Sequence, residues 1–175
     1  LNTGYYSNPS GAWVQKATQV STSCLRQHPS PIVLHLSKKG GDLEMTTPAE
    51  GFNFKLAYTD MPSRIARPAD PEDAWLVCGT DVQDYTSLFG DQNEQDTPLT
   101  PDEPANGFRA LRKLDNGDMV ITPADNIWPS LNAWFDYNRN GVGDVGEYVQ
   151  LSNLGISGLE LNYQTVGKKD VAGSK

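Results

Sequence analysis

The chain has 175 residues, with 22 Asp and Glu against 14 Lys and Arg, for a formal net charge of −8 and a pI near 4.6. That length suits one domain with a sizeable core, and the acidity excludes a nucleic-acid-binding surface unless a local basic cluster supplies one, which none does. Gly (16) and Pro (12) are too few for a low-complexity chain, while four Trp, seven Tyr and five Phe furnish core material, and no apolar run approaches the roughly eighteen residues of a membrane span.

Residues 1–28 are rich in Ser, Thr, Asn and Gln and read as an N-terminal arm that packs through Trp13. From residue 29 to 90 the texture is strand-like. The runs 32–36, 43–45, 52–58 and 75–78 carry β-formers or period-two alternation, separated by Gly40-Gly41, Pro48 and Pro62. Phe52, Phe54 and Leu56 share one face and Asn53, Lys55 and Ala57 the other, the pattern of a sheet with one buried side. Cys24 and Cys78 enclose a loop of about 55 residues, and a disulfide there would restrict the unfolded chain by roughly 4 kcal/mol in the entropy model. A free Cys78 buried in the apolar run Trp75-Leu76-Val77-Cys78 is the equal alternative. A zinc site does not fit, because the cysteines lie far apart and His28 and His35 are the only imidazoles.

Residues 91–104 hold five acids, three prolines and one large apolar residue, Leu99, and read as a solvated loop. Beyond it the periodicity turns helical. Phe108, Leu111 and Leu114 are spaced by three behind Asn106 as N-cap, and Ile127, Leu131, Trp134 and Phe135 form a second apolar stripe. Pro129 is compatible with the first turn of that second helix, with Asp125 or Asn126 as cap. Residues 159–163 alternate as a strand, and 164–175 read as a flexible tail.

The segment 136–147, Asp-Tyr-Asn-Arg-Asn-Gly-Val-Gly-Asp-Val-Gly-Glu, fits the twelve-residue calcium-loop pattern without a mismatch. In such a loop positions 1, 3 and 5 point at a common centre, a glycine at 6 permits the sharp turn, position 7 turns its carbonyl inward, and position 12 closes the shell with two oxygens. Asp136, Asn138 and Asn140 then supply one oxygen each, Val142 its carbonyl, Asp144 a direct or water-mediated contact, and Glu147 the bidentate pair. All are hard oxygen donors, which suits Ca²⁺. Three carboxylates and two neutral amides place the affinity at the weak end, roughly 10⁻⁵ to 10⁻³ M.

Such loops come in pairs, and 114–125 lies where a partner belongs. Its chemistry is damaged: Leu114 occupies the position that needs a carboxylate and Met119 the one that needs glycine. Asp115, Asn116, Asp118 and Asp125 remain as a weak, non-standard second site, or the segment is structural, with residues 120–122 bridging to 142–144. The expected fold is therefore α+β, with N-terminal antiparallel strands packed on a C-terminal EF-hand-like helical pair at 105–155, in a single domain spanning 29–163.

The chain resembles the EF-hand-type calcium-binding domain of bacterial secreted proteins, often found alongside RTX or haemolysin-type repeats. The similar stretches run in order through Ser30-Pro31-Ile32-Val33-Leu34, Gly51-Phe52-Asn53-Phe54, Leu88-Phe89-Gly90-Asp91, Asn106-Gly107-Phe108, the two loops and Leu154-Gly155-Ile156. The resemblance implies calcium-supported folding in an extracellular or cell-surface protein. It departs at Lys38 and Lys39, which replace the acids of a further loop, and at 79–84, where another acidic loop is shortened.

The reading is thus a calcium-binding protein, secreted, extracellular or periplasmic, in which Ca²⁺ gives structural support or serves recognition of an extracellular protein or glycan. It is not read as an enzyme. The alternatives are a secreted hydrolase drawing on His28 or His35, although no G-x-S-x-G appears, and a carbohydrate-binding or adhesion module using Trp13, Tyr5, Tyr6 or Tyr58.

Overall fold

The computed structural model describes residues 2–7, 14–19, 31–56, 61–100 and 103–165. In chain order the strands are β1 (Asn2–Ser7), β2 (Val14–Gln19), β3 (Ile32–Leu34), β4 (Phe52–Phe54), β5 (Ser63–Ile65), β6 (Ala74–Cys78), β7 (Val120–Ile121), β8 (Leu131–Trp134), β9 (Tyr148–Gln150), β10 (Gly158–Glu160) and β11 (Gln164–Thr165). A nine-stranded antiparallel sheet runs β7-β10-β1-β2-β3-β6-β8-β9, with β11 also paired to β1; β4 and β5 form a separate two-stranded hairpin. No helix among the described residues is long and apolar enough to cross a membrane.

Three central strands explain why this sheet is stable. In β3, β6 and β8 nearly every residue is buried, because both faces of the sheet are covered. Ile32, Leu34, Leu76 and Leu131 face Phe108, Leu111 and Leu161 on one side. Val33, Trp75, Val77 and Trp134 face Phe52 and Phe54 of the β4–β5 hairpin on the other. Phe52 stands edge-on to Trp75 and Trp134, with ring centroids 6.4 and 5.9 Å apart, the geometry favoured by aromatic quadrupoles. In β4 the expected alternation holds, with Phe52 and Phe54 buried and Asn53 exposed.

The C-terminal EF-hand-like helical pair is absent, and the α+β expectation is corrected to a mostly β fold. Among the described residues α1 (Gly107–Arg112) is a single six-residue helix. Asn106 caps it, its side chain accepting the Arg109 N–H at 3.1 Å; Leu114 lies beyond its end and is exposed. The expected second helix is instead a 3-10 turn, Trp128–Ser130, followed by β8. The spacing of Ile127, Leu131 and Trp134 misleads because β8 is buried on both faces: Leu131 and Ala133 serve one core and Trp134 the other, so no polar face reveals period two.

Three further expectations change. Residues 2–7 and 14–19, expected in an arm, form strands inside the main sheet, with β2 pairing β3 through Thr18 and Val33; Trp13 lies outside the described residues, as do 166–175 of the expected tail. Residues 120–121 pair with Leu159 and Glu160 of β10 and not with the 142–144 segment. The acidic loop 91–104 is fastened to the protein. The Arg109 side chain, 2 % exposed, donates to Asp96 Oδ1 at 2.5 Å and to the carbonyls of Asp96, Pro98 and Glu103 at 2.9, 2.7 and 2.6 Å. Arg112 adds Glu103 and Asp96, and Lys113 adds Glu94.

Candidate metal centre

The loop 136–147 connects two antiparallel strands, where an EF-hand would have helices. Trp134 and Tyr148 are the last paired residues of β8 and β9, and the Phe135 N–H donates to the Glu147 carbonyl at 2.9 Å. Within this hairpin frame the loop closes on itself. Asp136 accepts the N–H groups of Asn140 and Gly141, both at 3.1 Å. The Asn138 and Asn140 side-chain oxygens accept the N–H groups two residues on, those of Asn140 and Val142, at 3.0 and 2.7 Å. Their amide nitrogens both donate to Asp144 Oδ2 at 2.7 Å. Glu147, at position 12, reaches back across the loop: Oε1 accepts the Tyr137 N–H at 3.1 Å, and Oε2 accepts the Asp144 N–H at 3.1 Å and the Trp134 indole N–H at 3.2 Å.

The loop is seated against the β4–β5 hairpin. Gly141 has φ +74°, and a Cβ there would lie 2.2 Å from the Asn53 carbonyl oxygen and 2.7 Å from the Phe52 ring. Gly143 donates its N–H to the Val82 carbonyl at 2.8 Å, and the Val82 N–H donates to the Tyr148 hydroxyl at 2.9 Å. Gly141 is thus required both by its turn and by this close approach. Gly141→Ala is expected to cost about 1–3 kcal/mol through left-handed strain and displacement of β4, measured as a shift in urea unfolding midpoint without loss of the native near-UV circular dichroism.

Electrostatically the loop concentrates negative charge. Glu147 is only 4 % exposed. Burial pushes the Asp136 carboxyl up from its ordinary value and the Glu147 charge adds to this, while the N–H groups of Gly141 and Asn140 pull the other way. A raised carboxyl contributes stability fully present below its unfolded value and lost as pH rises through the folded one, so ionised Asp136 works against the fold near neutrality. Among the described residues no three His, Cys, Asp or Glu side chains are gathered into a metal-holding cluster; in the loop, Asn amide groups stand against Asp144. The donor chemistry fits a hard cation: Asp136, Asn138, Asn140, Asp144 and Glu147 offer only oxygens as metal donors, and the Val142 carbonyl adds another.

The second candidate is arranged differently. Asp125, 3 % exposed, spends Oδ1 on the Asn116 N–H at 2.9 Å and Oδ2 on the Thr122 N–H at 2.7 Å. Asp115 accepts the Met119 N–H and Asp118 the Val120 N–H. Met119 itself takes φ +68° in the place that glycine would fill. Here each carboxylate ties down its own turn.

Cys78 is exposed with a free thiol, so the buried-core alternative is corrected, and its candidate partner Cys24 lies outside the described residues, as do Trp13 and Tyr58 and the side chains of Tyr5 and Tyr6. His35 is half-buried. Its Nδ1 lies 3.0 Å from both oxygens of Asp73, a buried carboxylate that also accepts the N–H groups of Leu36 and Ser37 at 2.8 and 3.0 Å. Next to it Asp70, held by the Glu72 N–H, Lys39 and Ser37, has its carboxyl pulled down to about 2. The signal in sequence is the acidic run 70–73 directly before β6.

A β-sheet module with a twelve-residue oxygen-donor loop set in a hairpin is the class these features define. The family model described as "SPM domain" matches residues 32–175, and the chain belongs to that family. It is similar to the iron-regulated protein FrpA of Neisseria meningitidis serogroup C, 37 % identical over 89 residues, which is 50 % of this chain and 8 % of that protein's length.

Proposed function

We propose that this chain is a calcium-binding module of a secreted or cell-surface protein, in which one Ca²⁺ in the 136–147 loop supports the fold and the face presented to a partner. The observation that carries this reading is the closure of the loop around its own oxygen donors: position 12 reaches the N–H groups near position 1, and positions 3 and 5 meet position 9. The motif supplies donor types at the spacing that an oxygen-coordinated cation needs, although hairpin strands replace the flanking helices. Coordination would draw on Asp136, Asn138, Asn140, Asp144, Glu147 and the Val142 carbonyl, leaving Asp115, Asn116, Asp118 and Asp125 to a structural turn. Calcium would neutralise the charge crowded at Asp136 and Glu147 and fix the loop that Gly141 and Gly143 press onto β4 and Val82. A ligand that binds only the folded state must raise its stability. The test is a thermal melt of protein stripped by chelating resin, with and without millimolar calcium. A rise of several degrees supports the reading, and an unchanged midpoint contradicts it.

A further inference from the structure

A cleft of about 70 Å³ opens beside the loop, between the chain that follows β5 and the first residues after β8. Trp75, Trp134 and Tyr137 wall it, and two arginines, Arg67 and Arg139, border it. Arg139 is the residue between Asn138 and Asn140 and holds φ +62°. Its guanidinium has no hydrogen-bond or ion-pair partner among the described residues. Arg67 is anchored through backbone carbonyls, Nε on Glu50 at 3.3 Å and Nη1 on Pro68 at 3.0 Å, and likewise makes no ion pair. The two are near enough for their charges to oppose each other, while the Asp136 and Glu50 carboxylates act on Arg67 with the opposite sign and without a direct ion pair. In a chain with eight excess negative charges, Lys39, Arg109, Arg112 and Lys113 make ion pairs with carboxylates, whereas Lys38, Lys55, Arg64, Arg67 and Arg139 make none among the described residues; of these, Arg67 and Arg139 share one cleft. Two neighbouring guanidiniums that make no direct ion pair and border an aromatic-walled cleft match a site for a planar anion.

We propose that this cleft binds a carboxylate, clamped between Arg67 and Arg139 with its carbon skeleton against Trp134 and Tyr137. A singly charged group is favoured over a phosphate because Asp70, Asp73 and Asp136 also border the cleft, and their repulsion, which acts on any anion, is about twice as large on a dianion. The carboxylate comes from a small acid or from an acidic peptide side chain, the same chemistry from two sources. The site stands on the arginines and goes beyond the calcium reading.

The experiment follows the arginine Nε–Hε resonances of the whole chain by ¹⁵N NMR in millimolar calcium, titrating propionate against its neutral analogue propionamide. In parallel, N-acetylated, C-amidated triglutamate is titrated against triglutamine. Saturable shifts at both Arg67 and Arg139 with propionate and not propionamide are expected, weakened about tenfold in Arg139→Gln. Tighter binding of triglutamate than propionate assigns an acidic segment, and weaker binding a small acid. No saturable shift with either acid, or equal shifts with the neutral analogues, would overturn the proposal. Arg139→Gln is exposed on the loop, and its dispersed amide spectrum verifies that a loss of binding is not a loss of fold.

Discussion

Replacing Arg109 with methionine is expected to lower the stability of the protein by about 3–5 kcal/mol, the range for removing one member of a buried charge pair. The cause is geometric. Arg109 is almost wholly buried, yet it carries four hydrogen bonds into the 91–104 loop, three of them to carbonyls that would lose their donor at once. Asp96 would be left near Arg112 alone. Lysine in its place is expected to recover only part of the loss, since one ammonium cannot span four acceptors in a planar fork. Urea unfolding measures both variants. A cost below about 1 kcal/mol would mean that the loop is fastened by something other than this side chain.

Glu147→Gln is the second large effect. The carboxylate accepts from Trp134, Tyr137 and Asp144 inside a buried pocket, and an amide turns one acceptor into a donor facing an N–H, at a cost of about 1–3 kcal/mol without calcium. With calcium at a hundred times the dissociation constant, the wild type gains about 2.7 kcal/mol by mass action. With Glu147 as the proposed bidentate ligand, the variant is expected to gain none of it, so the gap between the two is expected to widen on adding the cation. Equal calcium gains in both proteins would place the cation elsewhere.

Part of this was legible in the chain. The local closure of 136–147 can be read because Asp, Asn and Gly at short spacings tie down their own turns, and Asn106 because a cap is a local device. β4 showed its two faces because one of them meets solvent. The helical pair was misread for the opposite reason. β8 is covered on both sides, so Leu131, Ala133 and Trp134 carry no polar face, and a short apolar run in sequence serves helix and strand equally. Arg109 and Asp73 were invisible because their meaning lies in partners 13 and 38 residues away, Asp96 and His35. The acidity divides accordingly. Some acids of the 91–104 loop answer Arg109, Arg112 and Lys113, and the carboxylates of Asp136 and Glu147 are left crowded in one loop, with Asp144 held by the Asn138 and Asn140 amides.

That crowding is what the calcium reading accounts for, and calorimetric titration of calcium into resin-stripped protein tests it most directly. One equivalent binding with a dissociation constant of roughly 10⁻⁵ to 10⁻³ M is the expected result, moving the formal charge from −8 by the two units of the ion. No heat at millimolar calcium would contradict the account.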